Sequence, residues 1–558
     1  MALTKRMTGG EAMLQAAVAN GVDTVFGLPG AQIYPLFDAM YRTDSVQAII
    51  SRHEQGAAYM ANGYSAATGK PGVFAVVPGP GVLNASAALC TAVAGNLPVL
   101  CLTGQVMSEF LGKGRGHLHE LDDQRATLAS IIKAAERIDD PAATYRQVNG
   151  AFRQMLSGRQ GPVSLEMCWD TMARDWDVAI EPGNEAIDRP SIDEDAINEV
   201  ADLIADARNI MIMCGSGARH ASAEVHELAE MLGACVTSLR SGRGVVSEDS
   251  AWGASSVAAH SLWPETDLLI GIGSRLELQF MRWLSTTEYY DRPPPGSPTV
   301  VRIDIDPDEM ERFKPDVGVV ADSAEATRLL IEKVRARGFK RGDADRIATA
   351  KAAARRRIEK DAQPQLAYLD VIRAVLPRDG YFVEELCQVG FVSQFGFEMY
   401  EPRTYVTTTY QGTLGFGFPT AIGVKAAVPD RAVVSVIGDG GFMYGLPELA
   451  CAAQHGIGLV TIVFNNSSFG NVRRDQLEKF AGNVIGSDLD NPDFVKLTES
   501  FGVDAHRVDS PAALKPVLEQ ALANDRPAVI EVPVERGSEA SPWQFLNPAD
   551  HARAQESE

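Results

Sequence analysis

A chain of 558 residues with 45% apolar and 22% charged residues has the composition of a large globular protein, and its length predicts about three domains. The formal net charge of −22 argues against a surface that binds nucleic acid or an anionic membrane. Seven cysteines lie scattered without a CxxC pair, and neither an early apolar signal segment nor a long apolar run is present. We therefore expect a cytoplasmic protein with reduced thiols.

Residues 1–180 alternate apolar strands with helical stretches, which predicts one doubly wound domain. We expect a helix from Met7 to Gly21 and buried strands at Gly72–Val77 and Val99–Thr103. Glu54 begins a helix of small residues, where an acid has a structural explanation because it complements the helix dipole. The residues that follow it, Gly56, Ala57 and Ala58, are small, so another group could approach its carboxyl group closely.

An acidic stretch with two prolines at residues 181–190 is typical of a linker, and a Rossmann-like middle domain is predicted over residues 191–340. Its turn GSGAR, residues 215–219, does not fit the GxGxxG pattern, so bound FAD or another nucleotide is possible here but not favoured. Charged residues crowd the segment 340–360 without a clear apolar face, which predicts an exposed connecting helix. The third domain is expected over residues 365–540.

The third domain contains the most informative stretch, in which two apolar strands are separated by a helix. The first strand ends on GDGG, residues 438–441, and the second ends on a pair of asparagines. Because the strands of such a crossover are parallel, Asp439 and Asn466 should meet at one edge of the sheet. Their oxygens, together with a loop carbonyl such as that of Ser468, suit Mg²⁺. The glycines leave backbone N–H groups free for phosphate oxygens.

Several segments resemble the thiamine diphosphate-dependent enzyme family. The spacing of 27 residues from Asp439 to Asn466 resembles the family's diphosphate and magnesium motif. RHEQGAAYMANGYSAATGKPGV, residues 52–73, resembles the segment that supplies the activating glutamate, and QGTLGFGFPTAIG, residues 411–423, resembles the segment that bends the cofactor. PGPGVLN and PVLCLTGQV resemble the acetolactate synthase and benzaldehyde lyase branch, which includes 2-oxo acid decarboxylases. The resemblance implies three α/β domains with doubly wound parallel sheets: pyrimidine-binding, Rossmann-like and diphosphate-binding.

The resemblance also implies residue roles. Glu54, shielded from water, would share a proton with the pyrimidine N1′ of the cofactor. Leu414 would keep the two cofactor rings bent towards each other. The carbonyl oxygen of Gly412 would accept a hydrogen bond from the exocyclic amine of the cofactor. His119 lies where relatives place a glutamine near the cofactor, and a histidine there can move protons at neutral pH. The remaining cofactor contacts are expected at Pro29, Asn84, Gln388, Gly438, Asp439, Gly440, Gly441, Asn466 and Phe469. The substrate pocket is expected at Gln32, Leu111, His119, Phe391 and Asn471.

Some positions depart from the pattern of the named relatives. Acetolactate synthases carry an arginine where this chain has Gln279, and a tryptophan where it has Asp475. Relatives of benzaldehyde lyase place a tyrosine where this chain has Gly390. Both comparisons argue that the substrate pocket differs from those of the two enzymes.

We therefore expect a thiamine diphosphate- and Mg²⁺-dependent enzyme that makes or breaks a carbon–carbon bond next to a carbonyl, by 2-oxo acid decarboxylation with or without carboligation. A lyase acting on 2-hydroxy ketones or 2-hydroxyacyl thioesters is the alternative within the family. A flavin-linked oxidoreductase and a non-catalytic cofactor-binding protein are alternatives from other classes. The resemblance implies a homodimer or homotetramer with the active site between subunits and a small carbonyl compound as substrate.

Overall fold

The structure is a computed structural model that describes residues 3–183, 186–283, 296–312 and 314–549. Its first domain holds a six-stranded parallel sheet in the order β3-β2-β4-β5-β7-β6, while β1 and β8 form a separate antiparallel pair. The strands are β1 Thr4–Thr8, β2 Thr24–Gly27, β3 Gln47–Ile50, β4 Gly72–Val76, β5 Val99–Gln105, β6 Ala134–Arg137, β7 Val163–Cys168 and β8 Asp175–Ala179. The helices are α1 Gly9–Ala19, α2 Tyr34–Tyr41, α3 Glu54–Thr68, α4 Pro80–Gly95, α5 Gln124–Ala129, α6 Thr144–Leu156 and α7 Trp169–Ala173.

The middle domain also contains a six-stranded parallel sheet, in the order β11-β10-β9-β12-β13-β14. Its strands are β9 Ile210–Cys214, β10 Cys235–Ser238, β11 Gly253–Ala254, β12 Leu268–Ile272, β13 Thr299–Asp304 and β14 Val317–Val320. Its helices are α8 Glu194–Asp206, α9 Ser222–Leu232, α10 Ser256–Leu262, α11 Pro307–Arg312 and α12 Ser323–Arg337, and α13 Ala344–Asp361 leads out of the domain.

The third domain repeats the strand order of the first, as β16-β15-β17-β18-β20-β19. Its strands are β15 Tyr381–Glu384, β16 Tyr405–Thr407, β17 Val433–Gly438, β18 Val460–Asn465, β19 Asp504–Arg507 and β20 Ala528–Pro533. Its helices are α14 Gln365–Val375, α15 Gln388–Gly396, α16 Gly417–Ala427, α17 Asp439–Gly445, α18 Leu449–His455, α19 Gly470–Lys479, α20 Phe494–Ser500, α21 Pro511–Asn524 and α22 Trp543–Leu546.

These sheets confirm the predicted α/β architecture of three parallel-sheet domains. The central strands are apolar on both faces because helices cover both sides. In the third domain the strand order reverses between β15 and β17, and the loops at the carboxyl ends of strands beside such a reversal form the usual ligand crevice of an open α/β sheet. The corresponding reversal in the first domain lies between β2 and β4.

Three local predictions differ from the structure. Met7 belongs to β1, which pairs with β8, so the first helix begins only at Gly9. The single helix predicted between the two strands is in fact two, because α17 begins directly at Asp439 and precedes α18. The charged segment is helix α13, and it is not fully solvated, because Ile347, Ala350, Ala354 and Ile358 form a buried stripe along it. Two of those four residues are alanines, which contribute little to an apolar pattern in the sequence.

Helix α3 of the first domain packs directly on α16 of the third. A Cβ atom at Gly63 would lie 2.1 Å from the carbonyl oxygen of Thr420, and one at Gly423 would lie 1.9 Å from that of Met60. Glycine is therefore required on both helices for this close approach of backbones. Within the described parts of the chain, no helix is both long and apolar enough to span a membrane.

Candidate active site

The loops that follow β17 and β18 bring the predicted metal ligands to one sheet edge. Gly438 pairs with Phe464 in the parallel register, so Asp439 lies beside the end of β18. Asp439 and Asn466 are both buried, at 2% and 8% exposure. Ser468 donates from its backbone nitrogen and its hydroxyl to Oδ1 of Asn466, both at 3.1 Å. Burial raises the pKa of the Asp439 carboxyl.

A further asparagine joins these two loops. The amide nitrogen of Asn491 lies 2.6 Å from Oδ2 of Asp439 and 3.0 Å from Oδ1 of Asn465. Among the described residues, no group of three or more His, Cys, Asp or Glu side chains is placed to hold a metal. A cation at this edge would therefore be bound by amide and carbonyl oxygens in addition to the Asp439 carboxylate. A ligand set made only of oxygens suits Mg²⁺ better than a transition metal.

The first turn of α17 is shaped by glycines. A Cβ atom at Gly440 would lie 2.4 Å from Cε1 of Phe469, and one at Gly441 would lie 1.8 Å from Oε1 of Glu385. Only glycine fits between these neighbours, and the N–H groups at this helix start have no partner within the helix. Bare N–H groups beside a buried aspartate and asparagine fit a diphosphate with its metal ion.

Glu385 is a buried carboxylate that the sequence did not single out. It accepts hydrogen bonds from the backbone N–H groups of Gly415 at 2.9 Å and Gly417 at 2.5 Å. Burial raises its pKa to about 7, although these two bonds oppose the shift. The carboxylate thereby joins the turn that contains half-buried Leu414 to the start of α17. Gly412 precedes that turn with a φ of 60°, which favours glycine.

Gln388 is the first residue of α15 and is buried at the same edge. Its side-chain oxygen accepts from the guanidinium of Arg474 at 3.3 Å. Arg474 also donates to the carbonyl oxygen of Glu539 at 3.0 Å. The carboxylate of Glu539 in turn accepts from the amide of Asn466 at 2.7 Å. Gln388 and Asn466 are therefore linked through the C-terminal segment.

In the first domain, Glu54 is the first residue of α3 and is half-buried in the single chain. Its Oε2 accepts from the side-chain amide of Asn84 at 3.0 Å. Glu448 of the third domain accepts from the backbone N–H groups of Arg52 and His53, at 2.9 to 3.1 Å. Burial raises the pKa of Glu448 to about 7. The start of α3 is thus fixed from both domains.

His119 and Gln32 form one hydrogen-bonded unit. Nδ1 of His119 lies 2.8 Å from Oε1 of Gln32, whose Nε2 donates to the carbonyl of Leu118 at 2.5 Å. Both residues have a positive φ, at 63° and 71°. Gly79 has a φ of 64°, and a Cβ atom there would lie 2.5 Å from the carbonyl oxygen of His119. The PGPG loop after β4 therefore holds the His119 backbone closely.

The remaining predicted site residues lie in two parts of the chain. Phe391 packs against Trp543 with tilted rings whose centroids are 5.4 Å apart, and the indole nitrogen of Trp543 donates to Oδ1 of Asn471 at 2.9 Å. Pro29 lies in the loop after β2, and Leu111 follows a short helical turn in the segment that leads to His119. Phe391 and Asn471 are therefore brought together through Trp543.

A cavity of about 440 Å³ lies beside the middle domain, between its strand ends and the other two domains. It includes the GSGAR turn and an unusual number of arginines: Arg159, Arg189, Arg219, Arg240, Arg275 and Arg403. Burial and neighbouring Arg403 lower the pKa of Arg219 to about 9. Acids also line the cavity, and Arg159 and Arg240 form ion pairs with Glu309 and Glu277, so its charge is mixed. The turn lacks the dinucleotide fingerprint.

Comparisons with known proteins agree with this geometry. Residues 7–127 match the N-terminal TPP binding domain of thiamine pyrophosphate enzymes, residues 197–330 match their central domain, and residues 387–532 match their C-terminal TPP binding domain. A probable 2-ketoarginine decarboxylase from Pseudomonas aeruginosa is 31% identical over 518 residues, which cover 89% of each chain. The chain belongs to the thiamine diphosphate enzyme family. Thiamine diphosphate and thiamine pyrophosphate are two names for one cofactor.

Other relatives of this thiamine diphosphate enzyme carry the name acetolactate synthase. A probable large subunit from Methanocaldococcus jannaschii is 31% identical over 556 residues, covering 95% of this chain and 92% of the relative. The large subunit of isozyme 1 from Escherichia coli is 26% identical over 549 residues, covering 96% of each. The predicted family is thus confirmed, and the enzyme is similar to both acetolactate synthases and a 2-oxo acid decarboxylase.

Sequence reasoning missed the residues that support this site from a distance. Asn491, Glu385 and Glu539 each contact a predicted site residue or its loop. The adjacent acids of the Glu384-Glu385 pair, directly after an apolar strand, were a usable signal, because the carboxyl end of a parallel strand lies where ligands bind. Asn491 and Glu539 had no such signal, since they lie in irregular segments.

Proposed function

We propose that this thiamine diphosphate enzyme binds Mg²⁺ with its cofactor and decarboxylates a 2-oxo acid, with or without addition of the product to a second carbonyl. The observation that carries the proposal is the buried pair Asp439 and Asn466 beside the glycine-shaped start of α17. This edge offers oxygen ligands to a cation and N–H groups to a diphosphate, and the residues present fit both groups.

The cofactor, when bound, supplies a carbanion and an electron sink for the carbon that loses carbon dioxide. Asp439, Asn466 and the Ser468 carbonyl would hold Mg²⁺, and Gly440 and Gly441 would contact the diphosphate. Leu414, fixed through Glu385, would support the bent shape of the cofactor. Pro29, Asn84, Gln388, Gly412, Gly438 and Phe469 would complete the binding site.

Two groups would handle protons. Glu54, oriented by Asn84, would hold a proton at the pyrimidine nitrogen and release it again. His119, oriented by Gln32, would exchange a proton with the substrate's oxygen or carbon at neutral pH. Gln32, Leu111, Phe391 and Asn471 would shape the pocket around the substrate.

A decarboxylase is favoured over a true acetolactate synthase for two reasons. Gln279 and Asp475 replace the arginine and tryptophan that acetolactate synthases use for their second substrate. The relative named a 2-ketoarginine decarboxylase matches the chain as well as the named synthases do. A lyase acting on 2-hydroxy ketones or 2-hydroxyacyl thioesters remains the alternative, because the same cofactor cleaves such bonds.

The active site is proposed to lie between two subunits of a homodimer or homotetramer. Large apolar side chains are exposed beside several predicted site residues: Leu83 precedes Asn84, Leu118 precedes His119, and Tyr444 lies in the same short helix as Gly441. Together with a half-buried Glu54, these exposed apolar residues suit a surface that a second subunit covers and thereby shields from water.

An accessory nucleotide such as FAD in the middle-domain cavity is the less favoured alternative, because the turn after β9 lacks the dinucleotide fingerprint. Its physical basis would be Arg219, a buried cation at that turn. A yellow purified protein would support FAD, and with it the flavin-linked oxidoreductase as the alternative. A colourless protein would leave the cavity to another ligand or to none.

The test is carbon dioxide release by purified protein with Mg²⁺ and thiamine diphosphate, across pyruvate, longer, aromatic and guanidino 2-oxo acids. Glu54→Gln is the control, since it removes the proton-holding carboxyl but keeps the side-chain shape. Release that Glu54→Gln abolishes supports the proposal, and mass spectrometry of the products separates a decarboxylase from a carboligase. No release from any acid by cofactor-loaded protein would refute it in favour of the lyase.

A further inference from the structure

The segment after β20 runs across the carboxyl end of β18, where the proposed metal ligands lie. The backbone nitrogen of Val534 donates to the carbonyl oxygen of Asn465 at 2.8 Å, which extends the contact between the two strands. Two residues later, Arg536 donates to the carbonyl oxygen of Ser467 at 2.7 Å. The chain then turns so that Glu539 faces the side chain of Asn466. This C-terminal segment therefore contacts the whole Asn465–Ser467 loop.

The side-chain amide of Asn466 is held at both ends. Its nitrogen donates to Oε2 of Glu539 at 2.7 Å, while its oxygen accepts from the backbone nitrogen and hydroxyl of Ser468. Rotating the amide by half a turn would place its oxygen against a carboxylate and its nitrogen against an N–H donor. Both contacts would then be repulsive, so only one orientation satisfies the two neighbours.

Glu539 is itself fixed in place. The residue is 8% exposed, and its carbonyl oxygen accepts from Arg474, which also binds the side chain of Gln388. The next residue, Ala540, exchanges two hydrogen bonds with the side chain of Gln365, at 2.8 and 3.3 Å. The backbone around Glu539 is therefore fixed by hydrogen bonds, and its carboxylate is buried against Asn466.

We propose that Glu539 is a positioning residue that keeps the oxygen of Asn466 directed at the metal and its nitrogen directed away. The inference rests on the proposed function, in which Asn466 is a ligand of Mg²⁺. A ligand that is already oriented binds the ion without first losing rotational freedom. Partners that orient metal ligands in this way typically contribute about 10- to 100-fold to metal affinity.

The test is calorimetric titration of Mg²⁺ into the full-length protein, in the presence of saturating thiamine diphosphate. Glu539→Gln keeps an acceptor oxygen at the same distance but removes the charge, so its Mg²⁺ affinity should stay close to that of the wild type. Glu539→Asp keeps the charge but withdraws the acceptor by one methylene, so its affinity should fall about 10-fold or more. Glu539→Ala should fall likewise. Glu535→Ala is the matched control, because Glu535 is exposed in the same segment.

The opposite pattern, in which Glu539→Asp binds normally and Glu539→Gln binds weakly, would overturn the proposal and make the charge of Glu539 the important property. Equal affinities in all variants would overturn it as well. Thermal melting without metal checks that each variant is folded, and the Asp and Gln variants decide the matter even if the Ala variant fails to fold. A wild type without Mg²⁺-dependent cofactor binding would refute the proposed function together with this inference. Unchanged Mg²⁺ binding by Asn466→Ala would refute the ligand assignment, and this inference with it, while leaving the proposed decarboxylation standing.

Discussion

Replacing Glu385 with glutamine should change how the stability of the cofactor-free protein depends on pH. The carboxylate is completely buried between the Gly415–Gly417 turn and the start of α17, and burial raises its pKa from 4.5 to about 7. Glutamine has nearly the same shape and stays neutral at every pH. The variant therefore removes the titration of this group, although its amide nitrogen cannot accept the hydrogen bond that one of the two glycine N–H groups donates to the carboxylate.

The sign and size follow from proton binding. Because the folded protein holds this proton more tightly than the unfolded chain, the contribution to stability is complete below pH 4.5 and is lost as the pH rises through about 7. Each pH unit between those values lowers the free energy of unfolding by about 1.4 kcal/mol, so at slightly alkaline pH the buried charge lowers it by roughly 3 kcal/mol in total. For a domain of this size, that corresponds to a difference in melting temperature of roughly 6 to 12 °C.

The assay is thermal melting of both proteins across this pH range, with Glu519→Gln as the control because Glu519 is exposed on α21. The melting temperature of Glu385→Gln relative to that of the wild type should rise by this amount from acidic to alkaline pH, whatever the constant cost of the lost hydrogen bond. The control should follow the wild type throughout. A temperature difference that is the same at both ends of the range would refute the reasoning, because it would mean that Glu385 does not change its protonation over this interval.

Three other substitutions test separate parts of the structure. Gly441→Ala should abolish cofactor binding measured by calorimetry, because its Cβ atom would lie 1.8 Å from Oε1 of the buried Glu385. Gly150→Ala is the control and should bind the cofactor normally, because its Cβ atom would point into open space. Glu248→Ala should lower stability to denaturant by about 3 to 5 kcal/mol, since it leaves Arg243, which is 1% exposed, without its carboxylate; an unchanged midpoint would contradict this. His119→Ala should lower turnover but not Mg²⁺ or cofactor affinity, and unaltered turnover would remove His119 from the mechanism.

The sequence was sufficient to predict the residues whose position depends on local structure. Asp439 and Asn466 each follow an apolar strand, and the rule that crossover strands run parallel brings their loops together without further information. The same rule places the loop of Gly79 beside that of Pro29, since β2 and β4 are neighbours. Roles such as that of Leu414 came from the resemblance to the family rather than from the pattern itself.

The sequence was insufficient where a contact joins irregular segments. Asn491 reaches Asp439 across 52 residues, and Glu539 reaches Asn466 across 73, and in neither case does a helix or strand period fix the direction of the side chain. The charged helix α13 was misjudged for another reason. Alanines such as Ala350 and Ala354 can be buried or exposed at little cost, so only the packing of the neighbouring elements reveals which side faces inward.

The glycine contact between α3 and α16 restricts how the first and third domains can move relative to each other. Gly63 and Gly423 allow backbone to touch backbone, so a hinge between these domains would have to separate two helices that fit without intervening side chains. Segments that lack such packing can change conformation without separating the two helices. The loop from Gly112 to Gly116 is one, because its three glycines have positive φ angles, open space around them and exposed neighbours.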